Sequence, residues 1–337
     1  MKRVASLFSV CAVSGALSLA ACGDGGGGDT CTTPTTGMTA KFAVKSLVLP
    51  NNGAPATKFA FDLNGDGKPD NQLAAIITAL GAAGSGGPMP QASVNTAVSS
   101  GNLVVLFNES AAALDNNDCA ATTLQAGTFA GASAMPAVAP KFDGTDTFAI
   151  NAAVGSGTFK GAIKSSVFTS NSPVTTKSPV TVTLGLPLTA GTPIPLTVSG
   201  ARITFTKTAT GATGGQINGA VKFTDVKTTI IPAVADLLTD QVKKDPAGMP
   251  GTIANLFDTY PTGCKAGDLN RDGSVAAAGD QKIAVCEVEN NSLIKSVLIA
   301  DVQLYAADGV TWAPNKDNTT KDSMSLGLGF ELVNANF

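Results

Sequence analysis

Strand-like alternation between residues 127 and 232 is the feature that most constrains the fold of this chain. In residues 201–206, alanine, isoleucine and phenylalanine alternate with arginine and threonine. Similar segments follow one another, the last at 216–231, and glycine-rich turns such as residues 210–215 separate them. A period of two places apolar side chains on one face of a strand and polar side chains on the other. The pattern therefore predicts an antiparallel meander with one buried face rather than βαβ units.

The rest of the chain adds further strands and a few helices. Strand-like segments lie at residues 41–49, 103–107, 293–304 and 323–337. Apolar residues at helical spacing are confined to short segments, at residues 72–83, 91–99, 232–244 and 251–260. The predicted fold is α+β, mainly an antiparallel β meander with a few short amphipathic helices. We expect one body over residues 31–337, with a split near residue 125 as the alternative.

The first 22 residues have the layout of a secretory signal. Lys2 and Arg3 precede a stretch of apolar and small residues that ends at Cys22. A membrane-spanning helix would need roughly 20 strongly apolar residues, and serine and glycine dilute this stretch. The sequence therefore predicts a segment that is removed on export rather than a permanent span.

The run Leu-Ala-Ala-Cys at residues 19–22 resembles the lipobox of bacterial lipoproteins. The resemblance implies that residues 1–21 are removed and that triacylated Cys22 anchors the chain to a membrane. The glycine-rich residues 22–30 then form a flexible tether. Gly23 is similar to the residue at this place in outer-membrane lipoproteins. The implied location is the cell envelope, at the outer membrane rather than the inner one, on its periplasmic face or at the cell surface.

Histidine is absent from the sequence, which narrows the chemistry that the chain can perform. Ser-His and Cys-His nucleophile pairs and almost all catalytic zinc sites require histidine. Because no catalytic constellation is recognisable, we expect a protein without enzymatic activity. The 22 basic and 25 acidic residues give a net charge of −3, with no basic run after the signal segment. Nucleic acid is therefore not an expected partner.

Four cysteines follow Cys22, and we expect them to form two disulfides. An even number of cysteines in an oxidising compartment is typical of disulfide pairing. Three connectivities are possible for four cysteines. We favour Cys264–Cys286, which closes a short loop around an acidic segment, together with Cys31–Cys119 at the start of the body. Free buried thiols are the alternative.

Two acidic segments, residues 62–70 and 268–275, share the pattern Asp-x-Asn-x-Asp-Gly. Calcium needs about six to eight oxygen ligands, and a tight loop can turn alternate side chains and the carbonyl at position seven towards one ion. The glycine at position six permits the sharp bend. The alternative is a plain turn, because Asp and Asn side chains also hydrogen-bond their own backbone. A plain turn suffices for the similar residues 115–118 and 143–146.

These two segments resemble the calcium loops of dockerin modules, thrombospondin type 3 repeats and, more distantly, EF-hands. The calcium ligands that the resemblance implies in the first loop are Asp62, Asn64, Asp66, the Lys68 carbonyl and Asp70. The ligands that it implies in the second loop are Asp268, Asn270, Asp272, the Ser274 carbonyl and Asp280. Leu73 and Gly279 stand where an EF-hand has its glutamate. No dockerin-like helix pair follows either loop, so docking to a cohesin is not expected.

Residues 61–67 and 321–330 are also similar to uncharacterised predicted lipoproteins of Gram-negative soil bacteria, a resemblance that implies no activity. We therefore expect a membrane-anchored extracytoplasmic lipoprotein with calcium-stabilised loops and a structural or interaction role. The membrane, reached through the lipid on Cys22, is the expected partner. One alternative is a carrier of an apolar ligand or lipid in a β-lined cleft. A hydrolase that uses acidic residues and calcium is a third, weaker hypothesis.

Overall fold

A computed structural model describes residues 31–50, 58–76, 90–186, 194–243 and 256–337. Cys22, the predicted signal segment and the predicted tether lie outside these residues. The end of the helix predicted over 72–83 and the start of the one predicted over 251–260 lie outside them as well. In the described part of the chain, no helix has the length and apolar character needed to cross a bilayer.

The described residues form ten strands, eight of which close into an antiparallel barrel. In chain order the barrel strands are β1 (Met38–Val48), β2 (Val104–Ala111), β3 (Asn117–Thr128), β5 (Gly157–Lys164), β6 (Val167–Ser170), β8 (Ile194–Thr208), β9 (Gly211–Lys222) and β10 (Ser323–Asn334). The remaining two are β4 (Ala149–Ile150), which pairs with β3, and β7 (Val182–Leu186), which pairs with β8. Each barrel strand pairs with the next in this order, and β10 pairs with β1 to complete the circle. The mainly antiparallel β fold is confirmed, whereas closure into a barrel was not predicted.

The closing pair joins residues from opposite ends of the chain. Phe42 on β1 lies opposite Asn334 on β10, and Val48 lies opposite Gly329. The register of this pair shifts between Val44 and Ser46, and the pairs β3–β5, β8–β9 and β9–β10 contain shifts as well. Bulges bend a strand and increase its twist, so these irregularities allow the sheet to curl until its edges meet.

Phenylalanine rings fill the middle of the barrel. Phe205 is 1% exposed, and its ring centroid lies 5.4 to 6.3 Å from those of Phe42, Phe107, Phe168 and Phe330. A cavity of about 20 Å³ remains among apolar side chains that include Phe107 and Phe330. This volume is close to what about one water molecule requires. The described interior is therefore a packed core.

A buried ion pair crosses the interior of the barrel. Glu109 on β2 is fully buried and is paired with Lys207 on β8, although these strands are not neighbours in the sheet. Burial raises the pKa of Glu109, while the hydrogen bond and charge of Lys207 oppose the rise. The sequence predicts this strand only to residue 107, so an inward-facing acid at residue 109 was not expected.

Short helices complete the described fold. They are α1 (Pro90–Ser99), α2 (Pro173–Thr176), α3 (Phe223–Asp225), α4 (Ile231–Val242), α5 (Val285–Asn290) and α6 (Ser292–Lys295), with a π-helical segment (Val226–Ile230) between α3 and α4 and a 3-10 turn (Ala130–Ser133). Residues 72–76 are also helical. The helices predicted over 91–99 and 232–244 are therefore present, with bounds that differ by one or two residues.

One predicted strand is present only in its first part, and another is wrong in the structure. The strand predicted over 216–231 ends at Lys222, and helical structure follows because buried Val226, Ile230 and Val234 are spaced by four residues. The stretch is rich in β-branched residues, but packing of one helical face outweighs that preference. The segment predicted as a strand over 293–304 contains α6, irregular structure and one isolated bridge at Val302, and it buries Ile294, Leu298, Val302 and Leu304.

Two disulfides join Cys31 to Cys119 and Cys264 to Cys286, with Cα atoms 4.7 Å and 5.3 Å apart. This is the pairing that the sequence favours. The first disulfide attaches the start of the described chain to β3. The second encloses the second acidic segment, so it restricts the loop that carries the predicted ligands.

The packing of Phe205 gives a test of the filled barrel. We expect Phe205→Ala to lower the free energy of unfolding by about 3 to 5 kcal/mol, because removing a buried ring leaves a cavity among four other rings. Val310 is 75% exposed, so Val310→Ala should change the free energy by less than about 0.5 kcal/mol. Urea denaturation measures both values. Equal effects of the two substitutions would contradict the packed interior.

Candidate metal centre

The first acidic segment forms a closed loop. Phe61 and Asp70 pair as an isolated antiparallel bridge, in which the Asp70 N–H donates to the Phe61 carbonyl at 2.9 Å. Gly65 and Gly67 have φ angles of +83° and +82°. Residues other than glycine rarely adopt this left-handed backbone conformation. Asp62 organises the turn, since its carboxylate accepts hydrogen bonds from the N–H groups of Gly65 (2.7 Å) and Gly67 (2.8 Å).

The predicted ligands of the first loop lie together in this turn. The Asp66 N–H donates to Asp62 Oδ1 and to Asn64 Oδ1, each at 3.1 Å. Asp66 Oδ1 in turn accepts from the Lys68 N–H at 2.8 Å. Asp70 Oδ2 accepts from the Leu63 N–H at 3.0 Å, which brings the last carboxylate back across the loop. Asn64 is 2% exposed, and its Nδ2 has no hydrogen-bond partner among the residues that the structure describes.

The loop is attached to the outer face of β10. Asn71 exchanges two hydrogen bonds with the backbone of Gly327, and the Gln72 N–H donates to Ser325 Oγ at 2.8 Å. A side chain at Gly327 would overlap the backbone of Phe59, which precedes the loop. Residues 59–72 therefore lie directly against the strand that closes the barrel.

Asp301 is a further acid beside this loop, and the sequence analysis did not identify it. Its carboxylate accepts hydrogen bonds from the N–H (2.7 Å) and the hydroxyl of Ser325. Ser325 also accepts from Gln72, so Asp301 shares a partner with the segment that follows Asp70. Asp301 lies 231 residues after Asp70 and outside any acidic motif, so spacing along the chain carried no signal for it.

No ion pair among the described residues neutralises the carboxylates of the first loop. Burial raises the pKa of Asp70 to about 7, and the negative charges of Asp301, Asp66 and Asp62 add to the rise, while a hydrogen bond from Leu63 opposes it. Burial likewise raises the pKa of Asp301, while hydrogen bonds from Ser325 and the positive charge of Lys321 oppose the rise. None of the five ion pairs among the described residues involves these four carboxylates. A divalent cation is the kind of ligand that would relieve this repulsion.

The second acidic segment forms a similar turn. Leu269 and Val275 pair as an isolated bridge, the Asn270 N–H donates to the Ser274 carbonyl at 2.8 Å, and Gly273 has a φ of +85°. Asp268 caps the start of the turn by accepting from the Lys265 N–H at 2.7 Å. The backbone therefore turns sharply at Gly273, the glycine at position six of the shared pattern.

The predicted ligands of the second loop contact one another and a lysine. Asn270 Nδ2 donates to Asp280 Oδ2 at 2.8 Å, so Asp280 lies in the loop despite its late position in the motif. Asp272 Oδ1 accepts from the Ser274 hydroxyl at 2.6 Å, and Asp272 Oδ2 lies 2.8 Å from Lys282 Nζ. This contact lowers the pKa of Asp272 and raises that of Lys282. The sequence analysis did not identify Lys282.

Neighbouring elements hold the second loop in place. The sulfur atoms of Cys264 and Cys286 lie within 4.8 Å of a carboxylate oxygen of Asp268. Because these sulfurs form a disulfide, they do not act as thiolate ligands. Arg271 is paired with Asp236 on α4 at 3.2 Å, which connects the loop to the helices.

Both loops fit a hard cation such as calcium. Their donors are carboxylate, amide and carbonyl oxygens, which calcium prefers. In the second loop Asn270 Oδ1 is buried and has no hydrogen-bond partner in the described part of the chain. In the first loop the ion would be held by the Lys68 carbonyl and by the side chains of Asp62, Asn64, Asp66 and Asp70. In the second loop it would be held by the Ser274 carbonyl and by the side chains of Asp268, Asn270, Asp272 and Asp280.

No protein-family model, curated protein or solved structure matches this chain. The function is therefore argued from the loops and from the barrel that carries them.

The raised pKa of Asp70 predicts how stability depends on pH in the absence of divalent cations. Asp70 keeps its proton to about pH 7 in the fold, against 3.8 for an ordinary aspartate. The protonated Asp70 side chain therefore contributes its full share of stability below pH 3.8, and this contribution is lost as the pH rises towards 7. In EDTA we expect the urea midpoint of the wild type to fall over this range and that of Asp70→Asn to fall less. Identical pH profiles would contradict the prediction.

Proposed function

We propose that this chain is a lipid-anchored protein of the cell envelope whose barrel is stabilised by calcium in its acidic loops. Its role is structural or in interaction with a partner, without catalysis. The observation that carries the proposal is the cluster of Asp62, Asp66, Asp70 and Asp301, which lie close enough for their charges to raise the pKa of Asp70 and which have no basic partner among the described ion pairs. Calcium bound there would neutralise the cluster.

The position of the first loop explains why its ion would matter to the whole fold. Residues 71 and 72 are hydrogen-bonded to Gly327 and Ser325 on β10, and β10 closes the barrel against β1. An ion that orders residues 62–70 therefore also favours the closed arrangement of the strand beside them. Extracellular calcium modules bind with dissociation constants of about 10⁻⁴ to 10⁻³ M. At 100 times the dissociation constant, binding to the folded state alone adds about 2.7 kcal/mol to stability.

The packed interior favours a structural role over the carrier alternative. A carrier of lipids needs an apolar space of several hundred Å³. The described part of the barrel holds the Phe205 ring cluster and a cavity of about 20 Å³. The ion sites, by contrast, are on the outside of the barrel, where they stabilise loops rather than position a substrate.

The lipid anchor rests on the sequence around Cys22. The described body begins with Cys31, which is tied to β3 by its disulfide. The glycine-rich residues between Cys22 and Cys31 would then separate the body from the bilayer. Calcium outside the cytoplasm is abundant enough to fill loops of moderate affinity, so the proposed address and the proposed ion agree.

Calcium binding is tested by native mass spectrometry and thermal melting of the full chain. We expect calcium to raise the melting temperature, EDTA to lower it, and the double substitution Asp62→Asn with Asp66→Asn to abolish most of the difference. At saturating calcium this loss corresponds to about 2 to 3 kcal/mol. Asp143→Asn is the matched control, because that carboxylate only caps a turn through Thr145. A melting temperature that changes neither with added calcium nor with EDTA would refute the proposal.

The anchor is tested by Cys22→Ala in the full chain, expressed in a Gram-negative host. We expect the wild type to sediment with the membrane fraction and to carry the mass of an acylated cysteine. The variant should lack that mass and leave the membrane fraction after high-salt washing, because a polar tether alone does not bind lipid. Retention of the variant in washed membranes would contradict anchoring through Cys22.

A further inference from the structure

The second loop contains a cation that belongs to the protein itself. Lys282 Nζ lies 2.8 Å from Asp272 Oδ2 and 2.9 Å from Ser274 Oγ. The Lys282 N–H donates to Asp280 Oδ1 at 2.9 Å. Lys282 therefore contacts three of the five residues predicted to bind calcium in this loop. In the first loop no ion pair of the described residues plays this part.

Among the described residues, the side chain of Asn270 keeps one unpaired polar atom in the second loop, although Lys282 is bound there. It is 5% exposed, and its Nδ2 donates to Asp280 Oδ2 (2.8 Å) and Ser274 Oγ (3.1 Å), which places the amide among the other predicted ligands. Its Oδ1 is buried and finds no hydrogen-bond partner within the described ranges. A buried oxygen that loses its partner is unfavourable. Beside the carboxylates of Asp272 and Asp280, this oxygen is a ready ligand for a hard divalent cation.

We propose that Lys282 is a resident counter-ion that controls calcium binding in the second loop. Its ammonium group sits on the Asp272 carboxylate, and calcium enters this loop only when the lysine side chain moves into solvent. This inference rests on the proposed function, because it assumes that the loops bind calcium. The side chain of Lys282 is 33% exposed and carries its ammonium group on a flexible four-carbon chain. The ammonium group can therefore move into solvent without a change in the backbone.

The two loops then load at different calcium concentrations although they share one motif. No ion pair among the described residues occupies the ligands of the first loop, so that loop binds first. In the second loop the ion pair of Lys282 with Asp272 must break before calcium binds. This loop therefore binds calcium at a higher concentration. Because loop charge is a main determinant of calcium affinity, the residue that sets this difference is Lys282, which lies two positions beyond the last predicted ligand.

Calcium titration of the full chain, followed by calorimetry and native mass spectrometry, tests the role of Lys282. We expect the wild type to bind one calcium ion more tightly than a second, by about tenfold or more. Lys282→Gln should tighten the weaker site by a similar factor and leave the tighter site unchanged. Adding Asp272→Asn to Lys282→Gln should remove the gain, which locates the improved site in the second loop.

Two lysine variants serve as controls. Lys282→Arg keeps the positive charge, so the weaker site should stay weak. Lys265 is exposed beside the same loop and its side chain forms no ion pair within the described residues, so Lys265→Gln should leave both affinities unchanged. A gain in Lys282→Arg or in Lys265→Gln equal to that in Lys282→Gln would overturn the inference. Circular dichroism and thermal melting establish that each variant is folded.

The remaining outcomes separate this inference from the proposed function. Two wild-type sites of equal affinity that Lys282→Gln does not alter would overturn the role of Lys282 and leave calcium binding intact. No calcium bound by any variant would overturn the proposed function and this inference with it. Calcium bound by Lys282→Gln alone would support the role of the lysine and overturn the assignment of the first loop.

Discussion

The pairing of β1 with β10 is the constraint on which the rest of the structure depends. In this pair Phe42 lies opposite Asn334 and Val48 lies opposite Gly329. Without the pair, the sheet would have two long unpaired edges. Closure also places the inward side chains of opposite strands in contact. The ring of Phe205 can touch those of Phe42 and Phe330 only because β1 and β10 complete the circle. The ion pair of Glu109 and Lys207 depends on closure in the same way, since it crosses the interior.

The closing strand links the core to the first acidic loop. Leucine and phenylalanine side chains of β10 face the interior, while Ser325 and Gly327 face outward and receive the segment that follows Asp70. A glycine is required at residue 327 because the backbone of Phe59 lies where a side chain would be. An ion bound in the loop, as proposed, would therefore also stabilise the strand that closes the barrel. The second loop is connected differently, through the Cys264–Cys286 disulfide and the Arg271–Asp236 pair on α4.

The two loops show that one motif can stand in two electrostatic environments. Both have a glycine with positive φ at position six and an isolated bridge across the turn. Around the first, the residues outside the motif add burial and another acid, Asp301, whose raised pKa the charge of Lys321 opposes only in part. Around the second, they add a base, Lys282, paired with the central aspartate. The electrostatic environment of each loop is therefore set by residues that the motif does not contain.

The sequence by itself determined the local features of this protein. Period-two alternation predicted the antiparallel strands, the cysteine count led to the two disulfides, and the Asp-Asn-Gly spacing predicted the course of both turns, because each depends on residues near one another in the chain. Tertiary structure alone decided the rest. Closure of the barrel depends on contacts between ends of the chain, and Asp301 reaches the first loop across 231 residues. The same buried residues at 226, 230 and 234 fit either a strand or a helix until packing selects the helix, since a spacing of four satisfies both periods.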